Sequence, residues 1–89
     1  DHLLAEKYQR LANHYEDGKG VPKNWDMALK YYKKAADENV YTATSLGIKL
    51  YEGIAPFPRD RSEGIKYLRK AAKYDDKAKD YCEENNISY

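Results

Sequence analysis

Apolar residues recur every three or four positions along most of the chain, which is the spacing that places them on one face of an α-helix. Such stretches cover residues 3–17, 25–38, 40–52, 76–84 and a segment that follows Asp60. In the first stretch the apolar face consists of Leu4, Tyr8, Leu11, Ala12 and Tyr15. No stretch shows the alternation that is typical of a β-strand. The pattern therefore predicts five helices and an all-α fold.

Residues that favour helix ends stand between these stretches. Gly18 and Gly53 follow the first and third stretches, where glycine commonly ends a helix. Asn24 and Asp60 precede the second and fourth, where their side chains can cap the first amides of a helix. Asn39 is expected to end the second helix in the left-handed conformation.

The chain repeats itself at an interval of about 36 residues. Residues 30–36 (KYYKKAA) recur as residues 66–72 (KYLRKAA), with five of seven positions identical. Leu11, Leu46 and Tyr81 stand 35 residues apart, so a partial third copy follows the second. Repeats of this length are typical of helical arrays. The predicted domain therefore covers residues 1–89, with copies at 3–38 and 39–74 and a partial copy or cap at 75–89.

Two motifs characterise copy one: L-x-x-x-Y-x-x-G-x-G-V at residues 11–21 and A-x-x-Y-x-x-x-A-A at residues 28–36. Copy two carries A-x-x-L-G at residues 43–47. Together these motifs closely resemble the SEL-one-like repeat (SLR), a relative of the tetratricopeptide repeat. The chain departs from the family pattern at Ala12, where glycine is usual, and at Gly64, where alanine is usual.

The resemblance implies an α/α superhelix, or solenoid, of antiparallel helix pairs, with two SLR copies and a C-terminal capping helix. It also implies an adaptor or scaffold that binds other proteins through a concave groove formed by the first helix of each repeat. The alternative is a regulatory or docking domain of a larger enzyme, such as a kinase, that acts through intramolecular contacts. The chain begins at Asp1 rather than Met, so we expect it to be a fragment of a longer protein.

Helical register assigns the outward positions of the first helices, if Leu11 and Leu46 are in the core. The predicted partner-binding residues are Gln9, Asn13, Glu16, Tyr41, Thr44, Ile48 and Tyr51. Aromatic and aliphatic side chains flanked by polar groups are typical of peptide grooves. The alternative is that Tyr41 and Tyr51 pack against neighbouring helices or a further repeat.

The loop at residues 54–58 (IAPFP) is unusually apolar. Phe57 aligns with Val21 in copy one, so it is expected to fill the space between the two copies. In the other interpretation Ile54 and Phe57 form an exposed patch that binds a partner.

Composition narrows the chemistry. The chain has 16 Lys and Arg residues and 15 Asp and Glu residues, which gives a net charge of +1. Lysines and tyrosines are interleaved in residues 30–34, as they are in some nucleic-acid-binding segments. The low net charge nevertheless argues against a nucleic-acid binder. The single cysteine, Cys82, excludes an intramolecular disulfide and a cysteine zinc cluster. We find no catalytic constellation, and the sequence predicts a non-enzymatic chain without metal, cofactor or small-molecule substrate.

Further expectations concern the surroundings of the chain. No run of 18 apolar residues is present, so membrane insertion is not expected. The single cysteine and the lack of a signal-peptide pattern favour an intracellular location. Self-association is expected to use the end faces, at Leu3 and Leu4 on one side and Ile87 and Tyr89 on the other.

Overall fold

A computed structural model of the chain describes residues 2–89, with side chains from Leu3 onward, so Asp1 of the predicted domain lies outside it. The described residues form five α-helices, with no strand among them. The helices are α1 (His2–Asp17), α2 (Trp25–Glu38), α3 (Val40–Glu52), α4 (Arg61–Ala72) and α5 (Asp76–Glu84). The predicted all-α class is confirmed, and the observed bounds of α1, α2, α3 and α5 lie within one residue of the predicted ones.

The helices belong to two compact units, one ending at Asn39 and the other covering Val40–Tyr89. In the first unit α1 packs against α2, and in the second α4 packs against both α3 and α5. The α1–α2 pair is antiparallel, because the Lys34 ammonium lies 5.6 Å from the ring centre of Tyr8, whereas the amide of Asn24 donates to the carbonyl of Tyr15 at 2.9 Å. The predicted organisation in helix pairs is therefore confirmed.

Side-chain caps begin three of the helices. Asn24 accepts a hydrogen bond from the amide of Met27 at 3.1 Å, and Asp60 accepts one from the amide of Glu63 at 3.1 Å. Asp75 caps α5 in the same way through the amide of Lys77. These bonds satisfy amides that have no partner within the helix. The predicted caps of α2 and α4 are confirmed.

The end of α2 differs from the prediction. Asn39 has φ −142° and ψ 119°, which is extended rather than left-handed backbone. Its amide still donates to the carbonyl of Ala35 at 3.0 Å. The reason is the shortness of the connection: α3 begins at Val40, the next residue, so Asn39 alone must redirect the chain.

The backbones of α3 and α4 are in direct contact at Gly47 and Gly64. A Cβ atom at Gly64 would lie 2.7 Å from the amide nitrogen of Tyr51 and 2.8 Å from the carbonyl oxygen of Gly47. A Cβ atom at Gly47 would lie 2.8 Å from Cγ of Leu68. Only glycine fits at Gly64 without moving backbone atoms, which explains this departure from the family pattern. The equivalent positions of the first unit are the buried Ala12 and Ala28.

We expect the substitution Gly64→Ala to lower the free energy of unfolding by about 2 kcal/mol. Overpacking costs about 1–3 kcal/mol, and a clash with backbone falls at the upper end, whereas alanine gains only about 1 kcal/mol in helix propensity. Urea denaturation followed by circular dichroism measures this difference. Ser62→Ala is the matched control, since Ser62 is exposed on the same helix and its substitution should not destabilise the chain. A Gly64→Ala variant as stable as the native chain would show that the helices separate at little cost.

Candidate protein-binding surface

One face of α3 carries large side chains that the second unit does not fully bury. Tyr41 is 66% exposed, and Ile48 and Tyr51 are half-buried. Positions 41 and 48 are two helical turns apart and therefore lie on the same side of α3. We call Tyr41, Ile48 and Tyr51 the α3 surface. It combines an exposed aromatic side chain with an apolar base.

Tyr51 is held in place by α4 and α5. The guanidinium carbon of Arg61 lies 5.1 Å from the centre of the Tyr51 ring, a cation–π contact. The ring of Tyr81 meets Tyr51 edge to face, with centroids 6.0 Å apart and planes at 88°, a favoured aromatic geometry. These contacts fix one end of the α3 surface.

The hydroxyl of Tyr81 donates a hydrogen bond to the carboxylate of Glu52 on α3. Burial raises the pKa of Tyr81, and the hydrogen bond to Glu52 raises it further. The phenol is therefore a persistent donor that ties α5 to the end of α3. The 35-residue spacing relates Tyr81 to Leu11 and Leu46, but it does not predict the pairing with Glu52, which is 29 residues away in sequence.

Thr44, a predicted groove residue, is not on the exposed surface, so its assignment to the surface of the groove is corrected. Thr44 is only 2% exposed. Its hydroxyl lies 2.6 Å from an oxygen of Asp75 and 3.2 Å from the carbonyl oxygen of Val40. The other oxygen of Asp75 caps α5. One carboxylate thus joins α3 to the beginning of α5 and covers Thr44.

The predicted residues of copy one form a hydrogen-bonded cluster on α1. The amide nitrogen of Gln9 donates to the side-chain oxygen of Asn13 at 3.2 Å. The hydroxyl of Tyr32 lies 2.9 Å from that oxygen and 2.5 Å from a carboxylate oxygen of Glu16. A hydroxyl has one proton, and the shorter contact to the carboxylate takes it. Burial, followed by this bond, raises the pKa of Tyr32.

The two apolar loop residues lie in different environments. Phe57 is 7% exposed, whereas Ile54 is 43% exposed. The ammonium of Lys49 lies 5.2 Å from the centre of the Phe57 ring. The loop also contains a cis Ala55–Pro56 peptide bond. Phe57 therefore fills space within the second unit, and the patch of Ile54 with Phe57 is not present.

Tyr31, the centre of the alternating lysine and tyrosine segment, is enclosed by other rings. It stacks on Tyr15, with centroids 5.8 Å apart and planes at 6°, and on Tyr8 at 6.0 Å. These contacts hold the half-buried Tyr31 within the first unit.

The other residues considered in the sequence are Cys82, the possible metal ligands and the end-face residues. Cys82 is buried, and burial raises the pKa of its thiol. Within residues 2–89, no group of three or more His, Cys, Asp or Glu side chains could hold a metal ion. None of the helices in this part of the chain is both long and apolar enough to cross a membrane. Of the predicted end-face residues, Leu3 and Tyr89 are exposed, whereas Ile87 is 7% exposed and belongs to the core.

Paired antiparallel helices with a recurring sequence motif define a helical repeat protein. The family model described as Sel1 repeat matches residues 8–40 and 43–74, well over half of the chain. The chain therefore belongs to the Sel1 repeat family, and the predicted resemblance is confirmed. Sel1 repeats are non-catalytic and generally mediate protein–protein interactions. A search of curated proteins found no significant match to the chain.

We expect Phe57→Ala to lower the free energy of unfolding by about 3 kcal/mol, because truncating a buried phenylalanine leaves a cavity. Thermal and urea unfolding measure the loss. Ile54→Ala is the control in the same loop, and its effect should be much smaller because Ile54 is more exposed. Equal stability of the two variants would contradict a core position for Phe57.

The hydrogen bonds from Tyr32 to Glu16 and from Tyr81 to Glu52 predict that the chain loses stability at alkaline pH. Tyr32 and Tyr81 have folded-state pKa values above that of an unfolded tyrosine. Their contribution is complete below about pH 10 and is lost as the pH rises above it, because the unfolded chain then releases protons that the folded chain retains. Urea midpoints measured from neutral to strongly alkaline pH test this. Tyr81→Phe should show a shallower fall above pH ~10 than the native chain, because its unfolded state has one tyrosine fewer to ionise. Parallel curves for the two proteins would contradict the interpretation.

Proposed function

We propose that the chain is an adaptor or scaffold segment that binds a partner protein on the α3 surface. The observation that carries this proposal is Tyr41, which is 66% exposed on the same helix face as Ile48. A tyrosine offers a large contact area and loses little conformational entropy on binding. Membership of a family of protein-interaction repeats supports a protein as the partner.

The surroundings of the α3 surface suit a short peptide segment. Ile48 and Tyr51 provide an apolar base, and Arg61 and Glu52 add one charge of each sign beside Tyr51 and Tyr81. Hydrophobic contacts surrounded by polar groups are the common anatomy of protein interfaces. Since the contacts of Tyr51 exist without a partner, little side-chain entropy remains to be lost there.

The polar cluster on α1 extends the same proposal to copy one. Asn13 is exposed, and Gln9 and Glu16 are half-buried. The hydroxyl of Tyr32 orients Glu16, and the side chain of Gln9 orients Asn13. We assign these side chains to hydrogen bonds with the backbone of a partner, and we assign Thr44 to the support of α3 rather than to contact.

The test is affinity capture from cells of the source organism, read by quantitative mass spectrometry. The double variant Tyr41→Ala, Ile48→Ala is compared with the native chain and with Tyr74→Ala. Tyr74 is 78% exposed and lies outside the α3 surface, so it controls for the loss of an exposed tyrosine. Melting curves confirm that each variant is folded.

We expect a partner that the native chain and Tyr74→Ala retain and the double variant loses. With that partner purified, the double variant should bind at least about tenfold more weakly, since interface anchors contribute more than about 1 kcal/mol each. Equal capture by the double variant and the native chain would remove the α3 surface from the proposal.

A further inference from the structure

A pocket of about 380 Å³ lies where the end of α4 meets the segment that follows α5. It is lined by Arg69, Lys70, Lys73, Ser88 and Tyr89. Three of these residues are cationic and none is acidic. We call this the basic pocket. Its volume is within the range of ligand-binding clefts, and it shares no residue with the α3 surface.

The guanidinium of Arg69 is oriented for a ligand. Its Nε donates to the carbonyl oxygen of Ser88 at 2.6 Å, which fixes the plane of the group. Its two terminal nitrogens and the ammonium of Lys73 have no hydrogen-bond or ion-pair partner among the described residues. The lining of the basic pocket therefore contains donors that no acceptor among residues 3–89 pairs with.

Tyr89 forms one wall of the basic pocket. Its hydroxyl donates to the carboxylate of Glu83 at 2.5 Å, which anchors the ring. This bond raises the pKa of Tyr89 to about 12, so the phenol does not become an anion at neutral pH. Glu83 lies beside the cations of the lining, and Asp80 also places negative charge near Tyr89.

We propose that the basic pocket binds the phosphate group of a phosphorylated side chain on a partner protein. A phosphate monoester carries about −1.5 to −2 charge at neutral pH, so Arg69 and Lys73 attract it more strongly than they attract a singly charged carboxylate. Arg69 presents a planar pair of donors for two phosphate oxygens. Lys73 adds a point charge, and the hydroxyl of Ser88 adds a further donor.

The distribution of charge favours a protein over other phosphate carriers. The chain has a net charge of only +1, whereas nucleic acids and anionic membranes attract extended basic surfaces. A single recess suits one phosphate group with its attached side chain. The basic pocket is independent of the α3 surface, so each proposal can fail while the other holds.

The test uses the whole 89-residue chain labelled with nitrogen-15 and three probes: O-phospho-L-serine, a short phosphoserine peptide, and the same peptide with glutamate in place of phosphoserine. We expect saturable shifts of the Arg69 Nε–H and of the Ser88 and Tyr89 amides with the first two probes. The glutamate peptide should bind about tenfold more weakly, which corresponds to the loss of about one charge-assisted hydrogen bond.

Two variants and a control distinguish binding in the basic pocket from nonspecific attraction to positive charge. Lys73→Gln should weaken phosphopeptide binding about tenfold, by the same reasoning. Arg69→Lys keeps the charge but removes the planar pair of donors, so it should weaken binding as well. Lys66→Gln is the control: it makes the same charge change on α4, at an exposed lysine 3.9 Å from Glu63, and should have little effect.

Equal losses with Lys66→Gln and Lys73→Gln would overturn the proposal, because attraction would then be nonspecific. Equal affinity for the glutamate peptide would overturn the assignment to phosphate. Two further ligands are tested: a single-stranded oligonucleotide and a vesicle containing phosphatidylinositol phosphates. If either binds more tightly than the phosphopeptide, and Lys73→Gln abolishes this binding, the pocket belongs to that ligand and the proposal is overturned.

Discussion

The contact between the backbones of α3 and α4 at Gly47 and Gly64 determines the geometry of the second unit. Because neither residue has a side chain, the two helices approach until Leu68 lies against Gly47. The same approach brings the beginning of α4 close enough for Arg61 to cover the ring of Tyr51. The position of Tyr51 in the α3 surface thus depends on two glycines that are not part of that surface.

The helices were predictable because their signals are local. Apolar spacing of about 3.6 residues and capping side chains act within a few positions, so α2, α3 and α5 begin and end where the sequence indicates. Asn39 shows the limit of local reasoning. Its preference for left-handed backbone yields to the requirement that a single residue connect α2 to α3.

The candidate surface was only partly predictable, because register gives the direction of a side chain but not what covers it. Tyr41 is exposed as expected, whereas Thr44 on the same helix is covered by Asp75, which is 31 residues away in sequence. The basic pocket carries no periodic signal at all. Arg69 and Ser88 belong to different elements, and only the course of the chain after α5 joins them.

The single tryptophan provides a spectroscopic distinction between the two units. Trp25 lies in the first unit, with its ring centre 6.3 Å from that of Tyr32. Tryptophan emission therefore reports the state of the first unit alone, whereas far-ultraviolet ellipticity sums the helices of both. Coincident transitions of the two signals correspond to one cooperative molecule, and separate transitions to units with individual stabilities.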